Sequence, residues 1–423
     1  MRSHDGSVPP RLAIADLART WRPPSVRGAR SVRGKVGADR GPRPRQVPRC
    51  SLDTRSRAWN LPEEGTKLSG AIAELFEGAI DVIGDVHGES EALFSLVSRL
   101  GYDASARHPD GRRLVFLGDL IDRGPDSPAV LRRVASWVEA GRAQCLLGNH
   151  ELNALRDDPA KRRGGEGWWY GRDDARYPSV RVEHAEKQRA FLPFLAARPV
   201  ALERKHLRIV HACWHEPSVE QMREEPDALD AFRQHDAVAR ADLEEKRRAA
   251  QEELARAGVS LSDETAEVPR MPLRSSYDEA NQMSNPVRIL TSGIERSTGG
   301  QPFYASNKWR LVRRVPWWRE YTSDVPVVFG HYWRRYTPAN GAQEAAHPAD
   351  LFGDAPPDRW LGNTMCVDYS VGYRFAERQE RADAAAPRAS RYCLAALQVP
   401  EWRVVFDDGR PPFQIGAPPR GPR

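Results

Sequence analysis

Three short apolar runs, each ending at a glycine that precedes a polar residue, constrain the fold of this chain most strongly. They occupy residues 79–83, 113–117 and 144–147, and the glycines are Gly84, Gly118 and Gly148. A short apolar run bounded by glycine is typical of a buried strand. The segments between these runs have a helical pattern. Leu93, Leu96, Val97 and Leu100 share one helical face, and residues 127–140 form a second predicted helix.

Strands that alternate with helices about thirty residues apart predict βαβ units and an α/β fold whose sheet is parallel at least locally. In such sheets, ligands bind beyond the carboxyl ends of the strands. The polar residues that follow each strand are therefore the first candidates for a functional site.

Later strands are predicted over 207–210, just before His211, and over 325–329, just before Gly330 and His331. Residues 366–370, 394–397 and 403–406 are interpreted as antiparallel strands that close the domain. We expect a folded domain over 71–410 and a flexible tail over 411–423. Within the domain, residues 216–285 are predicted to form a charged helical insertion, with a solvated spacer as the alternative.

The basic character of the chain is concentrated at its start. Residues 1–50 contain twelve Lys or Arg against three Asp or Glu, whereas the whole chain has a net charge of only +6. Residues 1–70 are therefore expected to be a disordered basic extension, because so polar a segment buries too little apolar surface to offset its ordering entropy. The high pI reflects this extension and does not indicate nucleic-acid binding by the folded part.

The five cysteines are scattered and form no CxxC motif, so we expect reduced and mostly buried thiols. No run approaches the length of apolar sequence that crosses a bilayer. These two observations lead us to expect a cytoplasmic protein with no membrane partner. Its oligomeric state is not predicted.

Six polar side chains at the strand ends are candidate metal ligands. They comprise two carboxylates, three imidazoles and one amide: Asp85, His87, Asp119, Asn149, His211 and His331. This mixture of donors suits two divalent ions of intermediate hardness. His215 and Cys213, which lie close to His211, are alternative ligands.

Three motifs in order, GDVHG at 84–88, GDLIDRG at 118–124 and GNHE at 148–151, followed by two separated histidines, resemble the phosphoprotein phosphatases among the calcineurin-like metallophosphoesterases. The resemblance covers a little under half of the chain. It implies a four-layer α/β/β/α sandwich around a dinuclear metal centre. It also implies a phosphoesterase that cleaves phosphate monoesters by attack of a hydroxide held between the ions. Manganese is the first expected metal, with iron, zinc, cobalt or nickel as alternatives.

The resemblance also implies individual roles. Asp85, His87 and His331 would hold the first ion, Asp119 would bridge both, and Asn149 and His211 would complete the second. Arg123 would bind phosphate. His150, held by Asp122, would act as general acid for the leaving oxygen.

The chain departs from the eukaryotic-type phosphatases because it lacks their second phosphate-binding arginine in its usual sequence context. Arg310, or alternatively Arg313, is predicted to supply that charge. The nearby tryptophans, Trp309, Trp317 and Trp318, are candidates for stacking on a base, or else simply belong to an edge strand.

Two substrate classes remain open at this stage. One is a phosphoprotein or small phosphoester, and the alternative is a symmetrical dinucleoside polyphosphate such as diadenosine tetraphosphate. A non-enzymatic scaffold with a vestigial site is disfavoured because no ligand position is missing.

Overall fold

The computed structural model describes residues 70–156, 167–174, 176–305, 308–336, 351–353, 355–356, 358–381 and 390–419. Two sheets form the centre of the described part. The first contains β1 (Ile72–Glu74), β5 (Ala201–Arg204), β6 (Leu207–Val210), β11 (Val327–Phe329) and β12 (Thr364–Cys366), in that spatial order. Only the β5–β6 pair in this sheet is antiparallel.

The second sheet has six strands and carries the three motifs. Its spatial order is β15 (Phe413–Gln414), β14 (Arg403–Phe406), β13 (Ala395–Val399), β2 (Ile80–Ile83), β3 (Arg113–Phe116) and β4 (Ala143–Cys145). The strands β2, β3 and β4 run parallel, which confirms the predicted βαβ units. Their carboxyl ends therefore meet at one edge of the sheet.

Eleven α-helices lie in the described ranges. They are α1 (Ser90–Arg99), α2 (Ser127–Glu139), α3 (Asn149–Arg156), α4 (His184–Glu186), α5 (Leu192–Ala196), α6 (Glu216–Arg223), α7 (Ala228–Asp242), α8 (Glu244–Ala257), α9 (Pro272–Met283), α10 (Pro286–Ser292) and α11 (Arg374–Arg381). A π-helical turn, Lys187–Phe191, joins α4 to α5. Two small hairpins pair β7 (Glu295–Ser297) with β10 (Val312–Arg314) and β8 (Phe303–Ala305) with β9 (Lys308–Arg310).

Three apolar clusters define four layers. The middle cluster joins the facing sides of the two sheets, for example through Val82, Val115 and Ile209. A second cluster packs α1 and α2 on the outer face of the six-stranded sheet. A third packs α6, α7 and α10 on the outer face of the other sheet. The chain is therefore an α/β/β/α sandwich, as the resemblance implied.

Most strand and helix predictions agree with the structure to within two residues, but the end of the domain differs in two ways. The strand expected over 366–370 is Thr364–Cys366, and it pairs in parallel with β11 instead of joining the closing antiparallel strands. Phe413 and Gln414, expected in a flexible tail, pair with β14. The β11 partner of β12 is distant in sequence, so local pattern alone could not identify that pairing. β14 directly precedes β15 in the chain, and the Pro- and Gly-rich sequence around β15 hid this short strand.

Helices α6 to α9 occupy the range in which a charged helical insertion was expected. The predicted N-terminal extension over 1–70 lies outside the described residues except for Gly70. Within the described ranges, no helix combines the length and the apolar character needed to cross a bilayer.

Four cysteines are buried and free of disulfides: Cys145, Cys213, Cys366 and Cys393. Burial raises the pKa of each thiol. They are divided among the three apolar clusters, with Cys145 in the second, Cys393 in the middle and the other two in the third.

Candidate metal centre

The predicted ligands lie at strand ends where the backbone turns sharply. His87 and Asp119 both have φ of 47°, and His331 has φ of 68°. Asp122 and Arg123 are also left-handed, with φ of 72° and 69°. Non-glycine residues rarely adopt this region, and such strain persists where the surrounding structure holds it, typically at functional sites. These five residues are all among the predicted site residues.

Glycines allow the loops to approach each other closely. A Cβ atom at Gly148 would lie 2.3 Å from Oδ1 of Asp119, and one at Gly330 would lie 2.2 Å from Oδ1 of Asp85. Both distances are well inside van der Waals contact. These two positions therefore need glycine because a carboxylate occupies the space of a side chain.

Asp119 is shared by two groups of potential ligands. Its carboxylate lies with His87 and His150 in one group and with His211 and His331 in the other, and the ligand atoms of each group are within 4.8 Å of one another. Nε2 of His87 is 3.8 Å from Oδ2 of Asp119, whereas Nε2 of His211 is 3.5 Å from Oδ1. The two oxygens of one carboxylate thus face two separate imidazole groups, which is the arrangement of a bridging ligand.

Backbone carbonyls orient two of the imidazole rings through their Nδ1 atoms. Nδ1 of His87 is 3.1 Å from the carbonyl of Ile121, and Nδ1 of His211 is 2.9 Å from the carbonyl of Leu117. Each contact directs Nε2 toward Asp119, as backbone carbonyls commonly do for metal-binding histidines. Oδ1 of Asn149 lies 3.2 Å from Nε2 of His211, so its amide oxygen reaches the same group.

The imidazole of His331 lies beside that of His211, whereas the expected division of ligands places His331 with Asp85 and His87. Its ring lies 5.2 Å from the ring of His211, and its backbone N–H donates to Oδ2 of Asp85 at 3.1 Å. The contact with Asp85 is thus made by the main chain, while the imidazole turns toward Asp119. Nε2 of His331 is buried and has no hydrogen-bond partner among the described residues. A buried nitrogen of this kind is expected when its partner is a metal ion.

The electrostatics also fit bound cations. Burial, reinforced by the charge of Asp368, raises the pKa of Asp85 well above its usual value. Burial alone would raise the pKa of Asp119 too, but its imidazole neighbours outweigh burial and hold that pKa low. Burial and the charge of Arg123 lower the pKa of His87, while burial and Arg314 lower that of His331. The lowered pKa values favour the neutral imidazoles that metals require, and a bound cation would offset the repulsion that raises the pKa of Asp85.

His211 is the exception among the imidazoles. Burial would lower its pKa, but the charge and hydrogen bond of Asp119 raise it to about 10. A proton thus compensates part of the carboxylate charge when no cation is bound. Metal binding would release that proton.

A second cluster adjoins the ligands and contains the predicted catalytic residues. Nδ1 of His150 is 2.6 Å from Oδ2 of Asp122. The guanidinium of Arg123 reaches both Nε2 of His150, at 3.3 Å, and Nε2 of His87, at 3.2 Å. Arg123 therefore lies between the metal-ligand group and the Asp122–His150 pair.

Several residues around the site had no prediction. Glu151 is fully buried and accepts backbone N–H groups of Asp119, Leu120 and Gly148 at 2.7–3.0 Å, so it ties two of the loops together. Burial and Asp119 raise the pKa of Glu151 to about 7. Glu151 is the last residue of the GNHE motif, so its role could have been predicted from the sequence. Asp368 accepts the N–H of Trp333 at 2.7 Å, and no sequence motif pointed to it.

Arg310, the arginine predicted to supply a second phosphate-binding charge, lies on β9. The described contacts of Arg310 are within its hairpin, to the carbonyl of Ala305, and its charged neighbours are Glu295, Asp278 and Arg314. Arg314 instead lies over the rings of Tyr332 and Trp333, 5.7 Å from each centroid. Arg123 lies 4.8 Å over the same Trp333 ring. Trp333 thus connects the two arginines beside His331.

Two of the three expected base-stacking tryptophans lie in the core. Trp317 and Trp318 are buried and pack against Phe329 in the third apolar cluster. Trp309 is half-buried and donates to the carbonyl of Asp263 at 2.8 Å. Trp309 lies on β9 of a two-stranded hairpin, in agreement with the edge-strand alternative, whereas Trp317 and Trp318 lie in a 3-10 turn, Trp317–Arg319, that packs in the core. The alternative ligands also have other roles, because His215 lies 2.8 Å from the hydroxyl of Ser218 and Cys213 is in the core.

Comparisons with known proteins agree with this site. Residues 78–240 match the family model described as calcineurin-like phosphoesterase. Over 73 residues, the chain is 49% identical to the asymmetrical bis(5'-nucleosyl)-tetraphosphatase of Halalkalibacterium halodurans, covering 16% of this chain and 30% of that protein. It is 42% identical, also over 73 residues, to a symmetrical bis(5'-nucleosyl)-tetraphosphatase of Ralstonia nicotianae, covering 17% of this chain and 23% of the relative.

A solved structure is also similar in part. The crystal structure of a cold-active protein-tyrosine phosphatase from a psychrophilic Shewanella species has a TM-score of 0.41 at 14% identity, over 84% of this chain and 87% of the other. The matches to the curated relatives span less than a third of their length. These comparisons support a calcineurin-like phosphoesterase domain over residues 78–240.

Proposed function

We propose that this protein is a metal-dependent hydrolase of phosphoester bonds. The observation that carries the proposal is the position of Asp119, whose two carboxylate oxygens face two separate groups of imidazoles. Asp85, His87 and Asp119 would hold one divalent ion, and Asp119, Asn149, His211 and His331 the other. Two bound ions in such a site would lower the pKa of a water between them and neutralise charge on phosphoryl oxygens.

The remaining side chains suit the reacting phosphate. Arg123 presents a planar set of N–H donors beside both the ligands and His150, a geometry that matches phosphate oxygens. Arg314 adds a second cation beside the same Trp333 ring. The two arginines would hold the substrate phosphate and stabilise its charge as it develops.

His150 would protonate the leaving oxygen. Asp122 accepts the Nδ1 proton at 2.6 Å, which directs Nε2 toward Arg123 and the ligand group. A carboxylate behind an imidazole fixes its tautomer and stabilises its protonated form. His150 would donate the proton from Nε2 and recover it from water before the next turnover.

A dinucleoside polyphosphate is the second candidate substrate. It is favoured by the identity that residues around the motifs share with the two bis(5'-nucleosyl)-tetraphosphatases. The cleaved bond would then be a phosphoanhydride, for which the same residues suffice.

A substrate panel tests the proposal. We would compare p-nitrophenyl phosphate, a phosphoserine peptide and diadenosine tetraphosphate with manganese, iron, zinc, cobalt or nickel added to the metal-free protein. Metal-dependent release of phosphate or nucleotide, lost in Asp119→Asn, is the expected result. No turnover of any of the three with any metal would contradict the proposal.

A further inference from the structure

A cavity of about 720 Å³ adjoins the metal centre on the side of the helical segment. One face of α3 lines it, through Asn149, Leu152, Asn153 and Arg156, and helices α7 to α10 form the opposite side. Asn149 is therefore common to the cavity and to the ligand group, because its amide oxygen lies 3.2 Å from Nε2 of His211. A ligand that occupies the cavity can extend directly to the site of chemistry.

The cavity is rich in positive charge. Its lining contains four arginines, Arg156, Arg240, Arg247 and Arg288, but only two carboxylates, Asp236 and Glu244. Asp236 pairs with both Arg240 and Arg288, and Glu244 pairs with Arg247. An adjoining cavity of about 450 Å³ shares Arg156 and Arg240 and adds Arg233. The lining therefore has more positive than negative side chains, and it should attract an anionic ligand.

Arg156 is the arginine best placed to bind a ligand. It lines both cavities and lies 5.4 Å over the ring of Phe232. The described residues offer it no ion pair, in contrast to Arg240, Arg247 and Arg288. Its Cα is displaced from that of Asn149 by about 10 Å along the helix axis. That displacement is too large for contact with the reacting phosphate but suits a group farther along the substrate.

We propose that this cavity binds the part of a nucleoside polyphosphate beyond the reacting phosphate, with Arg156 holding phosphate oxygens. The inference rests on the proposed function and gives it a substrate class. The cavity volume lies within the range of small-molecule sites, which favours a nucleotide over an extended phosphoprotein segment. Tyr277 in the lining adds an aromatic face for the nucleoside.

Calorimetry with adenosine 5'-tetraphosphate on metal-free protein tests the cavity apart from catalysis. Arg156→Gln removes the unpaired charge while keeping the aliphatic stem, and Asn153→Asp adds a negative charge to the lining at constant size. Arg248→Gln is the matched control, because Arg248 is exposed on α8 and lines neither cavity. Melting temperatures would establish that all three variants fold.

We expect the first two substitutions to weaken binding about tenfold each and the control to change it less than about twofold. With diadenosine tetraphosphate as substrate, the same two variants should raise KM about tenfold, while p-nitrophenyl phosphate turnover stays unchanged. Equal binding in wild type and both cavity variants would overturn the inference, as would equal weakening by the control. Tighter binding of a doubly phosphorylated peptide, lost in the same variants, would overturn the nucleotide assignment.

The two proposals fail in different measurements. Absence of p-nitrophenyl phosphate turnover in the wild type, with every metal tried, would count against the proposed function. The cavity is judged by calorimetry on metal-free protein, which needs no turnover.

Discussion

Trp168 donates its indole N–H to Oδ1 of Asp122 at 2.8 Å, while the other oxygen of that carboxylate holds His150. Trp168 is thus a positioning residue that acts on His150 through Asp122. Both of these contacts fix the carboxylate plane, and with it the direction of the imidazole. Trp168 is buried, so the indole N–H has no water to replace its acceptor.

Trp168→Phe should lower kcat about fivefold on a substrate with a poor leaving group and leave KM nearly unchanged. The reason is that His150 loses orientation while Arg123 still binds the phosphate. Trp169→Phe is the matched control, because Trp169 is equally buried but its indole nitrogen has no hydrogen-bond partner among the described residues. Similar kinetic losses in the two variants would show that packing, and not the hydrogen bond to Asp122, explains the effect.

Removal of the proton donor and of the phosphate-binding group should have different consequences. Arg123→Ala should raise KM and lower kcat, because its donors contact phosphate in both ground and transition states. His150→Ala should lower mainly kcat, and more severely for a phosphoserine peptide than for p-nitrophenyl phosphate, whose leaving group is stable without protonation. Steady-state kinetics on both substrates measure this. Equal losses on the two leaving groups, with metal content intact, would reject the general-acid role.

Asp119→Asn should lower turnover by about a hundredfold or more and reduce the bound metal. The amide offers only one oxygen, so it cannot serve both imidazole groups with equal charge. Metal analysis of the purified variant beside the wild type gives the answer. If the variant retained two metals and normal turnover, Asp119 would not be a metal ligand.

Chelation should destabilise the protein. Without cations, Asp85 and Asp119 remain close together in a buried site, so bound metal should raise the melting temperature by about 5 °C or more through mass action. Thermal denaturation would be followed with chelator and after manganese is restored. The His331→Ala variant should show a smaller difference, because it lacks one ligand. If the metal raised the melting temperature equally in wild type and variant, His331 would not be a metal ligand.

Arg314→Gln should raise KM for p-nitrophenyl phosphate about tenfold, since it removes one of the two cations beside Trp333. Arg313→Gln provides the comparison, because Arg313 is exposed and adjacent on β10. Alternation along a strand puts the two side chains on opposite faces. Matching KM values in the two variants would contradict a role for Arg314 in phosphate binding.

Short-range pattern accounts for the part of the site that was predicted. Asp119 and Asn149 follow strands of a recognisable pattern, so the convergence of their loops could be expected from sequence. Trp168 could not be expected, because its partner Asp122 is 46 residues away and no strand or helix period relates them. Arg310 and Arg314 lie in different hairpins, and the strand pattern does not indicate that Arg314 approaches Trp333. The grouping of His331 with His211 depends on the parallel pairing of β6 and β11.

The four buried cysteines supply a built-in reporter of how the sandwich opens. Each has a thiol whose pKa is raised by burial, so alkylating reagents reach it only after local or global unfolding. Because they are divided among the three apolar clusters, mass spectrometry of labelled peptides would give a separate opening rate for each cluster. A metal that binds at the strand ends should slow labelling of Cys366, which is two residues from Asp368, more than that of Cys145. The thiols would thereby map how far cation binding rigidifies the fold without any added probe.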